Sequence, residues 1–509
     1  MQYTLNDLLG EQPVNNATKI ALVEGKRRVT YAELHQLVNQ YSMLLCEKGV
    51  KRGDRIAIYL PRSIELVSAL FATWFVGCAG VVINEVLKSR QVNYMLENSE
   101  ASVLITDSRM LASVEHPQIP DHRIIAVDGV APENGQAARA NVIGADLALI
   151  LYTSGSTGLP KGVMLSHENL LSGARIISDY LHLLRDDILI SLLPFSFDYG
   201  LNQLLSAILV GGTLVIQRSM LAADICNTLL RERITGMAAV PMLWQQIAHD
   251  RSPFMKTRFP HLRYITNTGG RMPEDLTRMF RKIHPHVQIF LMYGLTEAFR
   301  SSYLPPEQVD IRPTSIGKAI PNVELLIMNE HGQLCQPGEV GELVHRGANI
   351  SLGYWRDPES TAQRFRPAPF QQARGGQTEI AVFSGDYVKA DAEGYLYFVG
   401  RKDQMIKSHG MRVSPEEIEE CLFASNMVSH TVTFSIPRDE VTDDIVAAVV
   451  PRNPPDFSAD LLRNYFRKEL PEYMRPDIIW QVDEFPQTSS GKPDRVRIKE
   501  LYTQVHPGK

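Results

Sequence analysis

YTSGSTGLPKG, residues 152–162, is the stretch from which the fold of this chain can be predicted. An apolar run leads into it at 148–151 and another leaves it at 163–165, as in two strands joined by a loop. Glycine lets backbone N–H groups turn towards an anion, hydroxyl groups add donors, and lysine adds a mobile positive charge. The stretch therefore predicts a loop that binds a polyphosphate, and a flexible hairpin turn is the structural alternative.

The loop departs from the Walker A motif, which requires a glycine, any four residues and then Gly-Lys-Ser/Thr. Counting from Gly155, Pro160 occupies the position of the second glycine, and Gly162 follows Lys161 where a Ser or Thr is needed. A P-loop kinase or GTPase is therefore disfavoured.

The stretch resembles the signature loop of the adenylate-forming superfamily, which comprises acyl-CoA synthetases, firefly-type luciferases and the adenylation domains of nonribosomal peptide synthetases. The resemblance implies that the loop clamps the β- and γ-phosphates of ATP. The residues that would do so are Thr153, Ser154, Gly155, Ser156, Thr157, Gly158 and Lys161.

The composition is that of an ordinary globular protein. Of 509 residues, 44% are hydrophobic and 21% are charged, and the net charge is −5, so no basic excess points to nucleic acid. The cysteines form no C-x-x-C pair, which leaves a zinc site or a disulfide framework unsupported. The uncharged run 66–83 is interrupted by Gly77 and Gly80 and predicts a buried helix followed by a strand. The N-terminus lacks a basic apolar leader. We therefore expect a cytoplasmic protein without a membrane partner.

Helical and strand patterns alternate up to the middle of the chain, which predicts a parallel sheet covered on both faces. From Ile316 onward, short alternating segments predict antiparallel strands. After Lys402, a strong helix start at Ser414 introduces a compact α+β segment. We predict an α/β fold with domains 1–402 and 403–509. The first combines parallel-type α/β layers with a β-rich subdomain, and the second is a small mobile α+β domain.

A second cluster, Met292-Tyr-Gly-Leu-Thr-Glu297, follows a predicted strand. A carboxylate after a glycine turn suits Mg²⁺, although Thr296 and Glu297 could simply stabilise a helix N-terminus. The cluster resembles the adenylate-binding motif of the superfamily. That resemblance places Tyr293 and Gly294 at the nucleotide, Thr296 at a phosphate and Glu297 at Mg²⁺. A further resemblance places the backbone of Gly269, Gly270 and Arg271 along the adenine.

Two more matches lie towards the C-terminus. Asp386, in Phe383-Ser384-Gly385-Asp386, and Arg401 resemble the residues that contact the ribose. Asp403 takes the hinge position, and the loop 407–413 with Gly410 resembles the segment that opens a path for the pantetheine thiol. Lys492, in Thr488-Ser-Ser-Gly-Lys492, matches the lysine that contacts both the carboxylate and the α-phosphate during adenylation.

Asp198 lies in Pro194-Phe-Ser-Phe-Asp-Tyr199, which resembles the substrate-binding segment of the superfamily. Amino-acid-activating members have an Asp there that binds the α-ammonium group, whereas acyl-CoA synthetases generally have aromatic residues or His. A buried carboxylate needs a cation, which either a substrate ammonium or Arg300 could supply. Arg300 could also bind an acidic group of the substrate. By correspondence, the pocket contains Asp198, Tyr199, Asn202, Ala238, Thr266, Thr268, Met292, Arg300 and Ser301.

The resemblance implies a two-step reaction with ATP and Mg²⁺. A carboxylate attacks the α-phosphate and releases pyrophosphate, and a thiol then attacks the mixed anhydride. The modest, polar pocket favours a small amino acid, proline-like or otherwise polar. No carrier-protein segment is recognisable after Lys492, so we expect the phosphopantetheine thiol of a separate carrier protein. An acyl- or aryl-CoA synthetase using CoA is the alternative; a non-catalytic nucleotide-binding scaffold and a luciferase-like oxygenase are further ones.

Overall fold

The structure, a computed structural model, describes residues 2–10, 16–129, 135–153, 160–248, 252–369, 378–402, 404, 406–408, 411–438, 443–488 and 491–506. The chain divides into two compact units. The large unit comprises Met1–Leu325 and His345–Val382, and the small unit comprises Leu326–Val344 and Phe383–Lys509. The sequence places 326–344 and 383–402 in the first domain instead. The predicted boundary after Lys402 is the point about which the C-terminal domain is expected to move. A division of the chain into compact units does not test such a movement, so the boundary stays a prediction.

The strands are numbered along the chain. They are β1 Ile20–Glu24, β2 Arg27–Thr30, β3 Arg55–Tyr59, β4 Ala79–Val82, β5 Ala101–Thr106, β6 Ile124–Ala126, β7 Leu147–Thr153, β8 Lys161–Ser166, β9 Ile188–Ser191, β10 Thr213–Ile216, β11 Gly236–Ala239, β12 Tyr264–Asn267, β13 Gln288–Tyr293, β14 Ser302–Leu304, β15 Ser315–Ala319, β16 Val323–Met328, β17 Gly341–Gly347, β18 Phe365–Pro367, β19 Ile380–Ala390, β20 Leu396–Arg401, β21 Ile406–Ser408, β22 Met411–Val413, β23 Val428–Pro437, β24 Asp443–Pro451 and β25 Ile478–Gln481.

The α-helices are numbered in the same way. They are α1 Leu5–Gly10, α2 Tyr31–Glu47, α3 Ile64–Phe75, α4 Ser89–Asn98, α5 Ser108–Ala112, α6 His167–Tyr180, α7 Asp198–Leu209, α8 Ala222–Arg231, α9 Pro241–Ile247, α10 Glu274–Ile283, α11 Pro358–Arg364, α12 Pro415–Ala424, α13 Ala459–Glu469 and α14 Arg495–Val505.

The large unit contains two mainly parallel sheets. One has the strand order β6-β5-β3-β4-β7-β8, parallel except for the β7–β8 pair. In the other, β13-β12-β11-β9-β10-β1 are parallel, and β2, β14 and β15 add antiparallel pairs at the two ends. Parallel strands occur where both faces of a sheet are covered, and β4 and β11 are accordingly buried along their whole length. The predicted α/β class is confirmed.

Local sequence signals start several of the helices. Thr30 accepts a hydrogen bond from the backbone N–H of Glu33, whose carboxylate accepts one in return, and this capping box begins α2. Ser166 caps α6 in the same reciprocal manner. The run 66–83 forms the buried α3 and then β4, as predicted. Within the described ranges, no helix is long and apolar enough to cross a membrane.

The small unit is built on a sheet with the order β23-β24-β25, in which β23–β24 is antiparallel and β24–β25 parallel. Side chains alternate across β24, because successive residues of a strand point to opposite faces. Ala447 belongs to the core that contains Phe466 of α13, and Ala448 belongs to the core that contains Tyr502 of α14. Helices therefore cover both faces, and the predicted α+β class is confirmed.

Candidate active site

The predicted phosphate loop lies between two paired strands. β7 and β8 are antiparallel, with Thr153 opposite Lys161. The Thr153 hydroxyl donates a hydrogen bond to the Lys161 carbonyl oxygen at 3.5 Å. This confirms the two strands predicted on either side of the stretch. Five of the predicted loop residues are outside the described residues: Ser154, Gly155, Ser156, Thr157 and Gly158.

Lys161 has partners within the protein that the sequence did not indicate. Its Nζ donates a hydrogen bond to Ser360 Oγ at 2.6 Å and lies 3.7 Å from Asp357 Oδ2. It also lies 5.6 Å from the centre of the Tyr354 ring. Burial raises the pKa of Asp357, but the hydrogen bond from the Ser360 backbone N–H and the charge of Lys161 together lower it by more. The net shift of this pKa is therefore downward. Lys161 is therefore held against an anion of the chain itself.

Glu297 follows β13 in a short 3₁₀ turn, Thr296–Ala298. The hydroxyl of Tyr354 donates to its carboxylate at 2.6 Å. Burial raises the pKa of Tyr354 and the neighbouring Glu297 raises it further, so the phenol stays protonated and keeps donating. The described residues contain no group of three His, Cys, Asp or Glu that could hold a metal. A single oriented carboxylate fits Mg²⁺, which is usually bound through one or two carboxylates plus substrate phosphates.

The predicted adenine segment, Gly269-Gly270-Arg271, follows β12 directly. Gly269 has φ +78°, a conformation that favours glycine. The Asn267 side chain donates to the Gly270 carbonyl at 2.9 Å, and Arg271 pairs with Glu274 at 2.9 Å. The segment is thus held in a fixed turn at the carboxyl end of a parallel strand, where α/β sheets bind ligands.

Tyr293 ends β13 and has an unexpected neighbour, His345. The two ring centres are 6.0 Å apart with a tilt of 31°. His345 is fully buried, both of its ring nitrogens lack a hydrogen-bond partner within the described part of the chain, and burial lowers its pKa to about 3. Gly294 follows, and a Cβ there would lie 3.1 Å from the Cα of Arg300. The close approach explains why this turn needs glycine.

A narrow cavity opens between α6, α7 and the strands β9 and β11–β13. It is lined by Ile177, Leu181, Leu183, Leu189, Tyr199, Asn202, Gln203, Ser206, Ala238, Tyr264, Thr266 and Met292. The structure therefore brings together the predicted pocket residues Tyr199, Asn202, Ala238, Thr266 and Met292. The others, Asp198, Thr268, Arg300 and Ser301, are buried but do not line this cavity. The leucine-rich wall was missed, because it comes from the end of α6 and the segment that follows it.

The polar groups of the cavity are only partly satisfied. The Tyr199 hydroxyl is hydrogen-bonded to Thr266 Oγ1, and Ser206 Oγ donates to Asn202 Oδ1 at 3.1 Å. Asn202 Nδ2 and Gln203 Oε1 are buried without a partner among the residues that the structure describes. Buried polar atoms are usually hydrogen-bonded, so these two are suited to a polar ligand.

Asp198 is the first residue of α7. Phe197 precedes the helix and provides no side-chain cap, so no local sequence signal marks this start. Asp198 is 5% exposed and Arg300 is 2% exposed. In the described part of the chain, neither forms an ion pair with the other. Instead, the Arg300 guanidinium lies over the Tyr199 ring, 4.9 Å from its centre.

The remaining predicted residues belong to the small unit. Asp386 lies opposite Arg401 in the β19–β20 pair, and Arg401 Nε approaches Asp386 Oδ1 to 3.1 Å. The backbone N–H of Thr488 donates to the Lys492 carbonyl oxygen, and the Lys492 N–H donates to Thr488 Oγ1. Asp403 and Gly410 lie outside the described residues.

Comparisons with known proteins agree with these motifs. The family model described as AMP-binding enzyme matches residues 9–355, and that of the AMP-binding enzyme C-terminal domain matches 417–492. The chain is 31% identical, over 97% of its length, to delta-poly-L-ornithine synthetase of Acinetobacter baumannii (strain AB307-0294). It is 30% identical, over 98% of its length, to gramicidin S synthase 2 of Brevibacillus brevis. It spans 36% and 11%, respectively, of the length of these relatives.

A solved structure aligns with this chain over nearly the whole length of both proteins. It is that of o-succinylbenzoate CoA synthetase from Bacillus subtilis in complex with the acyl-adenylate intermediate, with a TM-score of 0.85, 26% identity and 98% of each chain covered. The same enzyme in complex with ATP and magnesium ion aligns with a TM-score of 0.83 and 26% identity, covering 97% of this chain and 99% of that one.

Proposed function

This chain belongs to the AMP-binding enzyme family, and on that premise we propose that it loads a small amino acid onto the phosphopantetheine thiol of a carrier protein. In the first step a carboxylate oxygen bonds to the α-phosphorus of ATP, the bond to the pyrophosphate oxygen breaks, and pyrophosphate leaves. In the second, the thiolate attacks the acyl carbon, a thioester forms, and AMP leaves. Adenylate-forming activation of an acid follows from the family; the amino acid and the carrier protein are our proposals.

The observation that carries the proposal is the buried carboxylate of Asp198. It directly precedes Tyr199, which lines the cavity, and no cation of the described residues pairs with it. Burying an uncompensated charge is unfavourable, so a ligand ammonium is the group that would complete the site. The N-terminal position in α7 supplies part of the compensation, because the positive end of the helix dipole is favourable for a carboxylate.

ATP and Mg²⁺ have a fitting set of groups in the large unit. Thr153, Lys161 and Thr296 would bind phosphate oxygens, Glu297 would hold Mg²⁺, and Tyr354 would orient the Glu297 carboxylate. When bound, Mg²⁺ neutralises phosphate charge and stabilises the charge that develops during phosphoryl transfer. In the small unit, Asp386 and Arg401 would contact the ribose, and Lys492 would supply the cation for adenylation. These roles rest on the resemblance and on the contacts described above.

An acyl- or aryl-CoA synthetase that uses CoA is the second candidate. It is favoured by the structural likeness to the o-succinylbenzoate CoA synthetase, which has a TM-score of 0.85 and 26% identity to this chain. The presence of Arg300 beside the cavity also suits an acid without an amine. The two candidates share the first half-reaction and differ in the acid and in the thiol.

ATP–pyrophosphate exchange across amino acids and their matched des-amino acids separates the candidates. We expect exchange with at least one amino acid and its loss in Asp198→Ala, by about 100-fold or more, because a site built to pair a polar group strongly rejects its absence. The matched control is Asp275→Ala, which removes a carboxylate that is 77% exposed and does not line the cavity. Exchange only with acids that lack an amine would refute the amino-acid proposal.

The acceptor is decided by a second assay. Incubation with ATP, the activated acid and either CoA or a phosphopantetheinylated carrier protein yields a thioester that mass spectrometry identifies. Binding of ATP without adenylate formation from any acid would instead support the non-catalytic scaffold.

A further inference from the structure

Arg300 is a buried cation that the reaction described above does not use. Its side chain is 2% exposed, and its Nε and Nη2 atoms have no hydrogen-bond partner in the described part of the chain. No carboxylate of the described residues forms an ion pair with it. A guanidinium stays charged at any physiological pH, so it cannot relieve its burial by losing a proton. Two unused donors and a full positive charge thus lie beneath the protein surface.

The backbone holds this guanidinium inward at a conformational cost. Phe299 has φ +24° and Arg300 has φ +150°, values that L-residues rarely adopt. Phe299 is fully buried, and a Cβ at Gly173 would lie 2.5 Å from its ring, so the turn is packed tightly in place. The Asn349 side-chain amide donates a hydrogen bond to the Arg300 carbonyl oxygen at 3.5 Å. Strain of this kind persists only where the surroundings impose it, and it is common at ligand-binding sites.

Contacts within the described part of the protein use only part of the interaction capacity of the Arg300 guanidinium. Its carbon lies 4.9 Å from the centre of the Tyr199 ring, a cation–π contact that leaves the edge of the group free to donate. Asp198 precedes Tyr199 in sequence but does not pair with Arg300. Both charges act on the Tyr199 phenol, whose pKa is raised by burial, lowered by Arg300 and raised by Asp198. The two opposite charges therefore lie near one wall residue of the cavity without neutralising each other.

We infer that the acid activated by this enzyme carries a second anionic group, and that Arg300 binds it beside the Tyr199 wall of the cavity. The matching ligand class is a small dicarboxylic acid; with Asp198 occupied by an ammonium group, it is an acidic amino acid. Guanidinium and carboxylate form paired hydrogen bonds of matching geometry, and Nε with Nη2 is one of the edges that can form them. The inference rests on the proposed acid-activating function but not on the amine or on the carrier protein.

The test compares each dicarboxylic acid with its neutral amide on the full chain. We measure kcat/KM for ATP–pyrophosphate exchange with L-aspartate against L-asparagine, L-glutamate against L-glutamine, and succinate against succinamate. We expect one dicarboxylic acid to exceed its amide by about 100-fold or more, since an unpaired buried charge discriminates strongly. Arg300→Gln should remove most of that preference, and Arg300→Lys should restore part of it.

A direct binding measurement keeps the test independent of catalysis. The same acids are added without ATP, and the midpoint of thermal unfolding is recorded for the wild type and for Arg300→Gln. We expect a rise with the preferred dicarboxylic acid in the wild type and none in the variant. Arg278→Gln, which removes an exposed guanidinium 71% accessible to solvent, is the matched control and should behave as the wild type.

Three results would overturn the inference. One is a best substrate with a single carboxylate and no other anionic group. Another is an equal loss for acids and amides in Arg300→Gln, which would place the guanidinium at the reacting carboxylate. The third is the absence of both exchange and binding for every dicarboxylic acid tested. Failure of Asp198→Ala to change amine selectivity would instead contradict the proposed function while leaving the role of Arg300 supported.

Discussion

Tyr354→Phe removes one hydroxyl group from the proposed Mg²⁺ site and leaves the ring in place. The ring packs edge-on against Phe365, with centres 5.7 Å apart, and lies beneath Lys161, so Phe should fill the same space. What is lost is the 2.6 Å hydrogen bond to the Glu297 carboxylate. Hydrogen bonds to charged groups contribute about 1.5–3 kcal/mol. At about 1.4 kcal/mol for each factor of ten, the loss corresponds to roughly 10- to 150-fold in kcat/KM.

The assay is ATP–pyrophosphate exchange at a series of Mg²⁺ concentrations. Because the hydroxyl orients the carboxylate proposed to hold the metal, Tyr354→Phe should require more Mg²⁺ for half-maximal rate. A merely structural role would not shift this dependence. Tyr397→Phe is the matched control, since it removes a similar bond, from a tyrosine hydroxyl to Asp391 at 3.1 Å in the small unit. An unchanged Mg²⁺ dependence with kcat/KM close to that of the wild type would refute the reasoning.

Three further predictions concern other parts of the chain. Glu419→Gln removes the negative charge that pairs with Arg495 at 2.6 Å in the small unit and leaves that half-buried cation without a counter-ion. Urea denaturation should therefore show a loss of about 3 kcal/mol, and an unchanged midpoint would contradict it. Burial lowers the folded-state pKa of His345 to about 3, against an ordinary value near 6.5. Between these two pH values the unfolded chain binds a proton that the folded chain does not. The free energy of unfolding should therefore fall as the pH decreases from about 6.5 towards 3. The fall should be shallower by up to about 1.4 kcal/mol per pH unit in His345→Leu, and equal slopes would rule out this residue as the cause. Lys492→Ala should slow adenylation by about 100-fold or more, as expected for the loss of a cation at a developing charge, without lowering the unfolding temperature; wild-type exchange rates would remove Lys492 from the proposed site.

The candidate site was predictable where a residue belongs to a short motif. Glu297, Asp386 and the loop at 152–162 could be proposed from the sequence because each lies in a run whose residue types match its chemistry over a few positions. Tyr354 was not found, although it contacts Glu297, because 57 residues separate the two. The partner of Lys161, Ser360, is 199 residues away. Contacts over such separations leave no local pattern, since they depend on how distant strands and helices pack.

The sequence by itself determined the α/β class, the cap residues of helices such as α2 and α6, and the family to which the chain belongs. These features depend on residue types within a few positions of one another, because caps, strand alternation and loop motifs are local. Only the tertiary structure decided that Asp198 begins a helix and that Arg300 stacks on Tyr199 rather than pairing with Asp198. The reason is that the partner of a buried charge is set by the three-dimensional packing of elements distant in the chain. The 152–162 motif thus predicts the reaction, and the packing around Tyr199 bears on the choice of acid.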